Sequence, residues 1–585
     1  MWIGTLALLF GAGISSGEAL VGGSRPNVVV IVTDDQGYSD YSHMGHGALR
    51  TPNLDRLAST SPQVDRFYVS AVCSPTRASL MTGRWNYRTR VVDTWIGRSM
   101  MEPDEVTLAE ILTEAGFATG LFGKWHLGDC HPMRPMDQGF ETSLVHRGGG
   151  LAQPSEPPEN GRRYTDPVLF RNGEQVRTEG YCTDVFFDEA RRFMESALEA
   201  ERPFFAWVAT NAPHDPFHDV PHGLLNEILT RDVAASSEGK SDRVDREARI
   251  LAMLENLDAN VGRLLTFLEE REIERETIVV FLSDNGPLWG RPTAGLRGHK
   301  TSPYEGGLRS RLFVRWPGRL RPHTRVQSLA AHVDLLPTIL DLLDVPVPEG
   351  NTLDGVSLKR LFTGEIEALE PRHLFFQSHR GNVPCFEHHF AVVGPRYKLV
   401  RASGFGRATP SADAAFELFD LNADPGESRD LARALPDVVT RLRSRYREWF
   451  EDVSTTREDN WAPPRIRLDA TAEPVVHLTR QDVRFEEGEG WTAEEDRRAA
   501  WHLDGTHADA FRLSLVYAES QSVDRVLVTI GDEQHEVHLP EGGVVGPHRL
   551  LVGSFDFPEG PFELRVAPFE GERPMPFHQV QLDLR

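Results

Sequence analysis

Cys73, in the run Ala71-Val72-Cys73-Ser74-Pro75-Thr76-Arg77, places a thiol where a helix is due to begin. Pro75 suits a first helical residue, because its fixed φ fits and its missing N–H is not needed there. Ser74 is then the expected N-cap, and residues 76–82 continue the helix. The N-terminus of that helix favours an anion, through unpaired N–H groups and the positive dipole end. Arg77, four residues on, falls on the same face. A thiol, a guanidinium and a helix N-terminus meet at one spot. The plain alternative is a small buried cysteine ahead of an ordinary capped helix.

Five more positions along the chain carry reactive types. Asp34-Asp35 are two adjacent acids, expensive to desolvate unless something positive neutralises them; a hard divalent cation does so well. Asp284-Asn285 offer two further hard oxygens, completing an oxygen shell. Lys124 and His126, two apart on an extended backbone, would share one side, a fixed cation beside a titratable base. His214 follows Asn211-Ala212-Pro213, and Lys300 stands in a glycine-rich loop as a second cation for an anion. Taken singly, each has a bland alternative: solvated loop acids, surface Lys and His, a turn histidine, a solvated loop lysine.

Their positions along the chain bind these clusters together. Residues 25–32 (RPNVVVIV), 117–122, 204–209 and 277–282 are short apolar runs of the kind buried on both faces of a parallel sheet. Asp34-Asp35, Lys124, His214 and Asp284-Asn285 each lie just past the end of one of these runs. In open α/β sheets ligands gather beyond the carboxyl ends of the strands. Helical stretches alternate with the strands, the clearest being the amphipathic residues 251–270. Residues 332–343 also read as a helix, with Pro337 near its start. The fold expected is therefore α/β, a predominantly parallel sheet flanked by helices with one site along its edge. Residues 146–163, rich in Gly and Pro, read as a long loop, either a lid over the leaving-group side or a disordered segment.

Cys-x-Pro-x-Arg closely followed by Thr82-Gly83-Arg84, together with Gly123-Lys124-Trp125-His126, resembles the sulfatase family, and the other motifs match in order over roughly residues 25–453. The resemblance implies an alkaline-phosphatase-like fold in which Cys73 is oxidised after synthesis to Cα-formylglycine, whose aldehyde hydrate is the nucleophile. It implies a cation, in this family usually calcium, held by Asp34, Asp35, Cys73, Asp284 and Asn285. Arg77, Lys124, His126, His214 and Lys300 would line the pocket. The activity implied is hydrolysis of a sulfate ester, of a sulfated carbohydrate or an aryl sulfate. Arylsulfatase-like enzymes of this kind depend on a formylglycine-generating or sulfatase-maturing enzyme. A phosphate or phosphonate monoester hydrolase on the same fold is the alternative. In a different class, an inactive sugar-binding protein would use only the C-terminal part.

The chain divides into a catalytic domain at residues 25–371, a smaller antiparallel α+β subdomain at 372–460 and a β-sandwich at 473–585. The second resembles the C-terminal sulfatase subdomain through its Glu417-Leu418-Phe419-Asp420-Leu421 strand and Asp424-Pro425-Gly426-Glu427 turn. The third shows short alternating strands and no metal or nucleophile pattern; a sugar-binding role and a spacer role are equally open. A net charge of -24 over 585 residues argues against nucleic acid and favours a short or singly sulfated substrate over a polyanion. Residues 1–19 resemble a secretory signal cleaved near Ala19, although no Lys or Arg stands ahead of the apolar core; a frayed terminus is the alternative. Secretion or a periplasmic location follows from the signal. No later stretch is long and apolar enough to span a membrane. Four cysteines are too few for a disulfide scaffold.

Overall fold

The computed structural model describes residues 25–584, apart from 152, 154, 232, 234–240, 289–290, 382, 458, 460, 486–498, 507–509, 518–524, 539–547 and 569–578. The signal expected at residues 1–19 lies outside the described residues.

β-Branched runs with no polar face need cover on both sides, and a parallel sheet between helices supplies it. The strand Asn27–Thr33 sits at the centre of a ten-stranded sheet. It pairs in parallel with Thr277–Ser283 on one side and Phe204–Ala209 on the other. Ala118–Lys124 and then Thr142–His146 continue the parallel set. Both edges turn antiparallel, through Leu312–Arg315 at one end and the hairpin Val168–Arg171/Glu174–Arg177 at the other. Alternation splits the central strand between two cores. Val29 and Ile31 face the helices Cys182–Glu199 and Ser241–Glu270, while Val28, Val30 and Val32 face the layer containing Cys73–Thr82 and Leu335–Leu342. Truncating one such side chain to Ala costs about 2–5 kcal/mol, so the row of strand ends stands on a stiff base.

Several elements differ from their expected bounds. The helix expected from residue 251 begins at Ser241, because Val244, Ala248 and Leu251 carry the apolar stripe back by two more turns. The Cys73 helix starts at Cys73 itself, with Val72 as its cap residue and no side-chain cap bond. Ser74 is thus inside the first turn and its buried Oγ has no hydrogen-bond partner. Pro75 is third in the helix, where its missing N–H still costs nothing. His146, expected in a loop, closes a strand opposite Lys124.

The smaller subdomain is a four-stranded antiparallel sheet, Leu374–Gln377, Phe390–Val393, Tyr397–Arg401 and Glu417–Asp420, in that order. The helix Pro436–Val453 covers it, with the ring of Tyr446 stacked 3.8 Å from that of Phe390. The C-terminal module is a sandwich of two sheets, and its first paired strand, Ile466–Leu468, precedes the expected start at 473. Its core, around Trp501, Leu513 and Val528, takes in Ile96, Met100, Cys130 and Met133 of the catalytic domain. The two parts share one apolar interior.

That junction also buries carboxyl groups. Burial, reinforced by Asp129, pushes the Asp482 carboxyl up to about 8, and burial pushes Asp129 up to about 6 against the pull of Arg147. A carboxyl raised in the folded state stabilises below its ordinary value near 4 and loses that contribution as pH climbs through the raised value. Thermal stability should therefore fall between about pH 5 and pH 8. Asp482→Asn, which removes the ionisation, should flatten that fall and raise the Tm by a few degrees at the upper end only. A Tm series in both proteins checks it.

Candidate active site

The parallel register sets five strand ends side by side, and the chemistry collects there. Thr33 pairs with Ser283, so Asp34 and Asp284 leave adjacent strands together. The backbone keeps them close: Asp284 N donates to Thr33 O at 3.0 Å, and Asp34 N to Ala212 O at 3.1 Å. Gly123 is required one residue before Lys124, because a Cβ there would lie 1.8 Å from the Ala209 carbonyl oxygen. The close approach it permits points Lys124 into the site. The Cys73 helix enters from the side, every one of its residues buried.

Charge pairing holds the cluster. Lys124 Nζ donates to Asp34 Oδ2 at 2.7 Å, and Lys300 Nζ lies 2.6 Å from Asp35 Oδ1. Arg77 donates to Asp284 Oδ2 from Nε at 3.0 Å and Nη2 at 2.7 Å, and from Nη1 to Lys124 O at 2.8 Å. Asn285 Nδ2 donates to Asp35 Oδ1 at 2.7 Å. His214 has Nδ1 2.6 Å from Asp215 O and Nε2 3.9 Å from Asp35 Oδ2. His126 Nε2 is 2.8 Å from Thr94 O. The strand ends at Lys124 and His126 takes a positive φ, so the two side chains reach the site through a turn, not along one extended face as expected.

Burial and charge act against each other on these groups. For Asp34, burial would raise the carboxyl, but Lys124, His214, Lys300 and Arg77 outweigh it and hold it far below the ordinary range. Asp284 is raised by burial and by Asp34. Lys300 is held above the usual lysine value: burial pulls it down, and Asp35 more than reverses this. Burial, with Lys124 nearby, keeps His126 neutral far below its ordinary value, and burial lowers His146 to about 3. Burial raises the Cys73 thiol, so an unmodified Cys73 is a poor thiolate.

The oxygens suit a hard cation. Asp34 Oδ1, Asp35 Oδ2 and Asn285 Oδ1 are buried without a hydrogen-bond partner. Ligand atoms of Asp34, Cys73 and Asp284 lie within 4.8 Å of one another, as do those of Asp34, Asp35 and His214. Unsatisfied buried carboxylate oxygens are costly, and a divalent cation with oxygen preference satisfies them. The donor set fits calcium.

All ten expected residues gather at this strand-end site. Sequence reasoning missed three neighbours. His146 Nε2 lies 2.9 Å from Asn211 Nδ2, and Arg291 Nη1 donates to Asp35 O at 3.2 Å. Gln481 reaches His126 from the C-terminal sandwich. Only His146 carried a local signal, as the last residue of an apolar run. None of the four cysteines is paired in a disulfide. Cys182 packs in the core.

Known proteins resemble this chain in sequence and in fold. The sulfatase family model matches residues 26–345, and the model for the C-terminal part of N-sulphoglucosamine sulphohydrolase matches residues 299–451. Human arylsulfatase A is 31% identical over 468 residues, spanning 72% of this chain and 86% of its own. The N-acetylgalactosamine-6-O-sulfatase of Bacteroides thetaiotaomicron is 28% identical, spanning 74% of this chain and 93% of its own. The solved structure of Ps i-CgsB with k-i-k-neocarrahexaose superposes with a TM-score of 0.63 at 25% identity, covering 75% of this chain and 95% of that one. With its strand-end site, its alkaline-phosphatase-like fold and a family model matched over more than half its length, the chain belongs to the sulfatase family.

Proposed function

We propose that this sulfatase removes sulfate from a sulfated carbohydrate or aryl sulfate, with Cys73 converted to Cα-formylglycine and a calcium ion held by Asp34, Asp35, Asp284 and Asn285 beside position 73. The observation that carries the reading is the meeting of buried, unpartnered carboxylate oxygens with Lys124, Lys300 and Arg77 around Cys73. Calcium would supply positive charge against the sulfate oxygens. The formylglycine hydrate would supply two hydroxyls, one to attack sulfur and one to lose the proton that lets sulfate leave by C–O cleavage. A serine or thiol has no second hydroxyl for that release.

The chain's own residues divide the remaining work. Lys124 and Lys300 neutralise the spectator oxygens of the sulfate. Arg77, anchored on Asp284 and the Lys124 carbonyl, holds the side chain at position 73. His214, its Nδ1 tied to the Asp215 carbonyl, turns Nε2 toward the pocket and with Lys300 protonates the departing oxygen. His126 has a buried Nδ1 with no partner, and this atom takes the proton during sulfate release. Cys73 is 3% exposed, so the maturation enzyme must meet this segment before folding is complete. No helix among the described residues is long and apolar enough to cross a membrane; secretion or a periplasmic location rests on residues 1–19.

Carbohydrate substrates are favoured because curated relatives include N-acetylgalactosamine-6-sulfatases and a matched structure holds a neocarrahexaose. The excess of acid favours a short substrate. Release of sulfate from defined sulfated mono- and disaccharides, beside 4-nitrophenyl sulfate and the matching phosphate and phosphonate esters, tests the reading. Sulfate esters should be turned over with the higher kcat/KM; faster phosphonate turnover would replace the reading with the alternative.

A further inference from the structure

The β-sandwich contributes a turn to the wall of the active site, beyond residue 451 where the family matches end. The turn is fixed from its own side. Thr479 O accepts from Trp501 Nε1 at 2.9 Å and from Asp482 N at 3.2 Å, and Thr479 Oγ1 accepts from Gln481 N at 3.1 Å. On the catalytic side, Gln481 O accepts from Gly97 N at 2.8 Å. Gln481 Nε2 donates to Ser99 Oγ at 2.8 Å and also to the Thr94 carbonyl. That carbonyl lies 2.8 Å from His126 Nε2, and Gln481 Nε2 lies 3.2 Å from the same ring nitrogen. Gln481 is 7% exposed and His126 2%.

The Thr94 contact selects one tautomer, since the Gln481 amide gives its two hydrogens to Ser99 Oγ and Thr94 O and has none left for the ring nitrogen. A carbonyl oxygen cannot donate, so a bare Nε2 at 2.8 Å from Thr94 O would set two lone pairs against each other. Nε2 therefore carries the proton and gives it to Thr94 O, whose second lone pair accepts from the Gln481 amide. Nδ1 is left bare, buried and without a partner. The ring is held on its other side by Gly149, where a Cβ would fall 2.7 Å from His126 Cε1. Thr94 sets the tautomer, and Gln481 holds Thr94 and Ser99 in place.

We propose that Gln481 is a positioning residue for His126, so that the sandwich completes the active site instead of serving as a spacer. The proposal rests on the reading of His126 Nδ1 as the proton acceptor in sulfate release. Loss of the amide frees the Thr94 carbonyl, and the imidazole then samples both tautomers and more than one orientation. Release follows departure of the alcohol, so slowing it lowers kcat and KM together and leaves kcat/KM in place.

The test compares full-length wild type with Gln481→Met, which keeps the bulk, and Gln481→Ala. The first readout is the ring-nitrogen NMR signature of His126 in protein carrying an unmodified Cys73 thiol, assigned by its loss in His126→Ala. Wild type should show a single protonated-Nε2 tautomer, and both variants a mixture or a broadened signal. The second readout is steady-state turnover of an aryl sulfate by matured enzyme. There kcat should fall about 10- to 100-fold, as for other residues that orient a functional histidine, with KM falling in step. An unchanged tautomer in the variants, or a loss of kcat/KM together with a lowered Tm, would overturn the proposal in favour of simple packing. If His126→Ala itself keeps kcat, the role given to His126 fails, while the tautomer result still decides whether Gln481 positions the ring.

Discussion

Cys73→Ser leaves a folded protein whose turnover falls about 10⁴- to 10⁶-fold, the scale seen when a nucleophile is removed. The substitution replaces sulfur by oxygen at a position that is 3% exposed, inside a wholly buried helix, so packing is little disturbed. A serine hydroxyl can attack sulfur once, but no second hydroxyl drives sulfate off. At most one equivalent of alcohol per enzyme should appear, with Tm within a few degrees of wild type. Stopped-time assays at high enzyme concentration measure this. Repeated turnover by the serine variant would remove the reason for a remade side chain.

Lys124→Met has the second-largest expected effect, and it acts on stability as well as rate. Lys124 is fully buried and pairs with Asp34 Oδ2 at 2.7 Å, while Asp34 Oδ1 has no hydrogen-bond partner. Removing one partner of a buried ion pair costs about 3–5 kcal/mol, because the other charge is left uncompensated. The lost cation should lower kcat/KM by about 10²- to 10³-fold, as for one stabilising donor at developing charge. Lys124→Arg should not restore activity, since a planar fork cannot occupy the place of a compact ammonium fully buried against Asp34. Parallel Tm and kcat/KM measurements separate the two effects. A Met variant with unaltered kcat/KM would show that Lys124 only holds the fold together.

Much of this site was legible because each piece is local. Cys73 to Arg77 form one helical turn, Asp34-Asp35 and Asp284-Asn285 are adjacent pairs, and each follows an apolar run whose character fixes it as a buried strand. Lys300 stands alone in a glycine-rich loop, and its 2.6 Å contact with Asp35 comes from packing across the fold. His146 was hidden by the glycines after it, which made its strand look like the start of a loop. Gln481 left no trace in the sequence. It lies 382 residues from Ser99 in a module with no reactive pattern, and the two meet only through tertiary packing, the apolar contact of Trp501 and its neighbours with Ile96 and Met100 and the hydrogen bonds of Gln481 to Gly97, Ser99 and Thr94. Helix starts were misplaced where Ser74 offered a textual cap that the backbone does not use.

The most direct test is the mass of the proteolytic peptide spanning residues 73–77, taken from a preparation shown to be active. It should have lost the Cys73 sulfur and gained a carbonyl that reacts with a hydrazide reagent. An active preparation in which every copy of that peptide still carries a free thiol would contradict the account.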